Sequence, residues 1–100
     1  MFVHTVFFWF KPGTRDAARE QLLRDCATYL SKIPSVRQLY SGPPAGTPRD
    51  VVDNSYAAGL TVLFDDAAGH DVYAVHPLHL EFIERNKAHW ERVQIYDFVA

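Results

Sequence analysis

Nine residues at the start of the chain, Phe2 to Phe10, narrow the possible folds more than any other stretch. The run is aromatic and β-branched, with no breaker before Lys11-Pro12-Gly13. It reads as a β-strand that is apolar on both faces. Side chains alternate across a strand, so His4, Val6, Phe8 and Phe10 share one face and Val3, Thr5, Phe7 and Trp9 the other. Such a strand belongs inside a sheet covered on both sides.

The remaining segments supply only one of those covers. Ala18, Leu22, Cys26, Tyr29, Leu30 and Ile33 recur at helical spacing and predict one amphipathic helix. Thr14 is its expected N-cap, Asp16 suits its first turn, and Pro34 ends it. Val36 to Tyr40 predicts a short second strand. Ser41 to Asn54 holds three prolines and two glycines and reads as a loop. Tyr56 to Phe64 predicts a third strand, in which Gly59 marks a bulge or a close approach. Asp65 or Asp66 caps a short helix running to about Val75. Pro77 restarts a second helical segment whose inward stripe is His79, Phe82, Ile83, Asn86 and Trp90. Val93 to Val99 is the last strand.

The order βαββαβ describes a ferredoxin-like α+β unit, a four-stranded antiparallel sheet with its helices on one face. No linker, repeat or low-complexity segment divides it, so residues 1–100 form a single domain. The face bearing Thr5, Phe7 and Trp9 is too apolar to stay wet. Packing against the same face of a second copy covers it, and two-fold symmetry makes that contact self-complementary. A core of 100 residues is marginal alone, which also favours a homodimer.

Composition removes several function classes. The net charge is −2 with mixed signs and no basic stripe, which argues against a nucleic-acid partner. No apolar run approaches the roughly 20 residues needed to span a bilayer. The N-terminus lacks a charged region followed by an apolar run and cleavage site, so a cytoplasmic location is expected. The single cysteine, Cys26, excludes an internal disulfide and falls on an apolar stripe as a small hydrophobe.

Chemistry concentrates in Tyr73-Ala74-Val75-His76-Pro77-Leu78-His79. A phenol and two imidazoles, all able to move protons, flank a proline where a helix must stop or restart. His79 falls on the buried stripe in the first helical turn, where the helix N-terminus disfavours the imidazolium. It is therefore expected to be neutral and able to accept a proton. Tyr73 lies six residues earlier, and His4 projects from its strand toward the helices. The three could form a base and two donors around one ligand, suited to proton abstraction beside a carbonyl. Purely structural roles compete at each position: His79 bonding a backbone carbonyl, Tyr73 as core, His4 as a partner of either. His76 reads as a cap of the turn before Pro77, although its place also makes it a candidate ligand contact. His70 and His89 read as exposed. His76 and His79 are three residues apart, but no third ligand has an obvious place, so no metal site is expected. The expected pocket is lined by His4, Val6, Phe8, Leu22, Cys26, Ala58, Tyr73, His79 and Phe82.

These segments together resemble the stress-responsive dimeric A/B-barrel (Dabb) family. The resemblance rests on His4 with its apolar strand and Phe10-Lys11, on Ile33-Pro34-Ser35-Val36, on the Tyr56-to-Phe64 strand, on the Tyr73-to-His79 element and on Tyr96-Asp97-Phe98. It implies a homodimer whose two sheets form a barrel. In some members it implies a magnesium ion near the dimer interface, otherwise no cofactor. Plant polyketide cyclases of this kind close a linear polyketide by cofactor-free aldol chemistry. Their catalytic pair maps onto Tyr73 and His79, and their first-strand histidine onto His4. Cys26 stands where they have a pocket tyrosine, Ala58 where they have a histidine, and Leu22 where they have a phenylalanine, so the lining differs in shape and polarity. Three functions follow: a cofactor-independent lyase, cyclase or isomerase acting on a small carbonyl compound; a stress-associated protein that holds an apolar ligand without turning it over; and, ranked last, a cofactor-free monooxygenase.

Overall fold

The computed structural model describes residues 1–100. The chain runs β1 (Phe2–Phe10), α1 (Asp16–Thr28), β2 (Gln38–Gly42), β3 (Ala58–Phe64), α2 (Ala67–Val75), α3 (Pro77–Asn86) and β4 (Trp90–Val99). The four strands form one antiparallel sheet in the order β2-β3-β1-β4. The twice-apolar β1 is central, as its composition requires. This is the ferredoxin-like α+β arrangement.

Register sorts the side chains into two faces. Leu39, Val62, His4 and Asp97 form one row across all four strands, and Ser41, Leu60, Val6 and Ile95 form another. These rows face the helices. On the reverse face, Tyr40, Thr61, Thr5 and Tyr96 align, and the Thr5 and Thr61 hydroxyls lie 3.3 Å apart. No helix covers that side.

Helix ends show how local chemistry sets boundaries. The Asp66 carboxylate accepts from the Gly69 backbone N–H at 3.0 Å and caps α2. Thr14 does not cap α1. Its hydroxyl donates to the Lys11 carbonyl at 2.6 Å and closes the turn in which Gly13 adopts φ 81°, leaving Arg15 at the N-cap without a side-chain bond. The apolar spacing through Ile33 spans more than one helix. α1 stops at Thr28, and a 3₁₀ turn over Leu30–Lys32 follows. Residues three apart eclipse in a 3₁₀ turn, so Leu30 and Ile33 still point into the core. Trp90 likewise belongs to β4, which starts three residues before Val93. Pairing passes through Phe7 opposite Gly59 without a bulge. No close approach excludes a side chain either, since a Cβ would meet the Phe7 and Tyr56 rings at 3.5 and 3.6 Å, ordinary van der Waals contact.

A polar clamp joins α1 to α3. The buried Asp25 carboxylate accepts from Arg85 Nε at 2.9 Å and from Asn86 Nδ2 at 3.0 Å, and that amide also donates to the Phe82 carbonyl at 2.9 Å. The Asp25 charge is therefore both paired and hydrogen-bonded, the condition under which burial is tolerated. Around the clamp, Leu22, Leu30, Ile33, Leu60, Val62 and Phe64 are all nearly inaccessible. Leu22→Ala should therefore cost about 3 kcal/mol, read as a lower urea midpoint at unchanged slope. A loss below about 1 kcal/mol would mean that the α1–sheet contact is looser than its complete burial implies.

Candidate functional site

Sheet order decides where space is left. α1 packs over β2 and β3, α2 lies over β1 and β3, and α3 packs against α1 and α2. β4, the edge strand beside β1, has no helix directly above it, and Val93 and Ile95 on the helix-facing side are 38% and 47% exposed. The result is a half-open cavity of about 240 Å³ between the helices and the β1–β4 edge. His4, Val6 and Phe8 form its floor. Tyr73 enters from α2, and His79 and Phe82 from α3.

Four expected lining residues lie elsewhere. Leu22, Cys26 and Ala58 are wholly buried and belong to the packed core beneath α1, on the β3 side of the sheet. Helical and strand periodicity marked them as inward-facing, but inward toward α1 is not inward toward the cavity. Burial also pushes the Cys26 thiol up to about 12, so it is inert at neutral pH. His76 does not line the space either. It is the N-cap of α3, where its Nδ1 accepts from the Leu78 backbone N–H at 3.1 Å and Pro77 fills the first helical position.

His79 sits in the first turn of α3. Its Nδ1 is 2.9 Å from the Ala74 carbonyl oxygen. A carbonyl only accepts, so Nδ1 carries the proton and Nε2 keeps its lone pair. Burial holds the His79 pKa below the ordinary imidazole value, partly opposed by the Ala74 carbonyl. The Tyr73 ring centroid lies 4.4 Å from that of His79. Burial pushes the phenol pKa well above its usual value, so Tyr73 remains a hydroxyl donor at neutral pH. That hydroxyl makes no hydrogen bond within the chain, and the Tyr73 side chain lines the cavity.

His4 is buried, and its Nδ1 lies 2.6 Å from Asp97 Oδ1, the residue opposite it in the β1–β4 register. The carboxylate accepts, so His4 also presents Nε2 as its free nitrogen. Burial lowers the His4 pKa and outweighs the hydrogen bond and charge of Asp97, which raise it. The His4 and Tyr73 rings are 5.8 Å apart.

Two polar residues at or beside the site were not expected there from the sequence, and the apolar Leu60, Ala74, Ile83, Trp90, Val93 and Ile95 complete its lining. His70 was expected on the surface, but its side chain is only 23% exposed. It stacks on Phe2 at 4.8 Å and lies 4.9 Å from the His4 ring. The signal was present, because His70, Tyr73 and Ala74 fall at helical spacing and all three line the cavity. Asp97 carried no such signal, since only strand pairing brings it to His4. His4, His70 and Asp97 each offer one potential ligand atom, all within 4.8 Å of one another. They form a cluster of potential metal ligands distinct from His76 and His79.

Fold and site together define a ferredoxin-like α+β domain with an apolar, half-open cavity edged by three imidazoles and one phenol. The sequence model of the Stress responsive A/B Barrel Domain matches residues 2–100, and the chain belongs to that family. It is 24% identical over 99 residues to the olivetolic acid cyclase of Cannabis sativa, covering 95% of this chain and 92% of that one. It is similar in fold to a dimeric ferredoxin-like protein of unknown function from Thermobifida fusca (TM-score 0.84, 16% identity, 99% of this chain and 90% of that one). It is also similar to the hydroxynitrile lyase of Passiflora edulis (TM-score 0.83, 16% identity, 99% of this chain and 92% of that one). No helix is long and apolar enough to cross a membrane.

Proposed function

We propose that the chain acts as a homodimer and that its cavity binds a small, largely apolar carbonyl compound, on which His79 and Tyr73 perform proton transfer. The reaction class is a lyase, cyclase or isomerase step carried by the chain's own side chains. One observation carries this reading: a neutral imidazole with a free Nε2 and an un-ionised, unpartnered phenol stand with ring centroids 4.4 Å apart in one apolar space. The imidazole takes a proton from the carbon next to the carbonyl. The Tyr73 hydroxyl donates to the oxygen on which negative charge grows, and the apolar walls strengthen that bond. His4, held by Asp97, orients the substrate or the base. Similarity to a cyclase and to a lyase supports the class of chemistry, and similarity to a dimeric protein supports the assembly.

A second reading is that the cavity holds its ligand without turning it over. It is favoured by the lining, of which ten of thirteen residues are hydrophobic. A panel of small carbonyl compounds assayed for cleavage, cyclisation or isomerisation separates the two. Tyr73→Phe should retain the fold and lose roughly ten- to a hundredfold in kcat, because one oxyanion donor is removed while the ring packing stays. Saturable binding without turnover by the wild-type protein would favour the second reading.

A further inference from the structure

Beside the His79–Tyr73 pair, three further side chains from separate elements converge on one point. We propose that His4, His70 and Asp97 form a binding site for a first-row divalent transition ion, with Zn²⁺ as the reference case. The three come from β1, α2 and β4, and only the tertiary fold assembles them. Their potential ligand atoms lie within 4.8 Å of one another. Ligand bonds of about 2.0–2.1 Å around one ion require separations nearer 3 Å, so binding draws the group inward by side-chain rotation.

Several features fit such a site. The backbone register fixes His4 directly opposite Asp97, so two of the ligands start preassembled. His4 is buried, while Asp97 and His70 are partly open, giving an ion a way in. The Asp71 carboxylate lies 3.4 Å from His70 Nδ1, so an outer carboxylate can orient that ring while Nε2 remains free. Two imidazoles and one carboxylate favour Zn²⁺ and its neighbours over Mg²⁺ or Ca²⁺, which prefer all-oxygen shells. Three protein ligands leave coordination positions for water or for an oxygen of a cavity ligand, the arrangement of open rather than closed metal sites. Coordination by His4 Nδ1 requires the neutral ring to carry its proton on Nε2 instead, a tautomer shift that releases no proton and frees the Asp97 carboxylate from its present bond to act as a ligand.

The test uses Co²⁺ as a spectroscopic probe on chelator-treated full-length protein, followed by displacement with Zn²⁺. One Co²⁺ per chain should bind with visible d–d absorption, and Zn²⁺ should abolish it. His70→Ala is the key variant, because it removes one imidazole while leaving the His4–Asp97 pair in place. It should weaken binding about a hundredfold or more, with circular dichroism unchanged, whereas His89→Ala should bind as wild type. Asp97→Asn should also weaken binding, and it keeps the side-chain shape. Unaltered Co²⁺ affinity in both His70→Ala and Asp97→Asn overturns the proposal, as does a wild-type protein that takes up no Co²⁺. These outcomes are independent of turnover, so a failed metal site leaves the His79–Tyr73 reading standing, and the reverse also holds.

Discussion

His79→Ala should fold normally and turn over substrate roughly a hundred to ten thousand times more slowly than wild type, the usual contribution of a positioned general base. The side chain is only part-buried and its single bond is to the Ala74 carbonyl, so its removal should spare the fold. His76→Ala provides the contrast. It removes the cap of α3, costs about 1 kcal/mol of stability, and leaves the cavity lining intact. The pH profile gives a second reading of the same assignment. Only the neutral imidazole accepts a proton, and burial lowers the His79 pKa from the usual 6.5. The wild-type rate should therefore rise with pH through a midpoint below 6.5 and be level by neutrality. Equal losses in the two variants, or a fully active His79→Ala, would remove His79 as the base and leave ligand binding as the better account.

Thr5→Arg combined with Phe7→Arg should abolish the dimer. Wild-type protein at micromolar concentration should sediment near twice the 11.4 kDa chain mass. The uncovered face carries a row of Tyr40, Thr61, Thr5 and Tyr96, with Phe7 set between Tyr56 and Tyr96 at ring distances of 4.8 and 6.4 Å. Tyr40 and Tyr96 are each 60% exposed in the single chain and Phe98 is 56% exposed, which is costly surface for an isolated domain. A two-fold contact presents every substitution twice, and each arginine would place an unpaired charge in an apolar interface. Tyr96→Arg separates loss of contact from loss of fold, because an exposed side chain contributes little to the monomer. It should yield a smaller folded species by sedimentation. A wild-type monomer, or a Tyr96→Arg protein that remains dimeric, would place the interface elsewhere.

Much of the architecture was legible because local patterns report local geometry. Alternation in Phe2–Phe10 assigned both faces of β1 correctly, since a strand has no other way to place successive side chains. The breaks at Asp66 and Pro77 follow from capping and the missing proline N–H, so α2 and α3 begin where the residues dictate. Where boundaries slipped, at Thr28 and at Trp90, apolar spacing continued past the hydrogen-bond pattern it was taken to represent. Spacing records which side is buried and says less about the backbone that buries it.

The sequence by itself determined the order of elements, the bare apolar face and the meeting of Tyr73 with His79, which lie on consecutive helices six residues apart. Tertiary structure alone decided which buried residues enclose space and which fill it. Leu22, Cys26 and Ala58 face inward as expected but toward a packed layer, because α1 covers β2 and β3 and stops short of β4. It also decided the partnership of His4 with Asp97 and His70. That contact spans 93 residues between His4 and Asp97, and it exists only because β4 returns along the edge of β1. Periodicity is a property of neighbouring residues along one element. A cavity is a property of how separate elements are spaced, and no local pattern encodes that spacing.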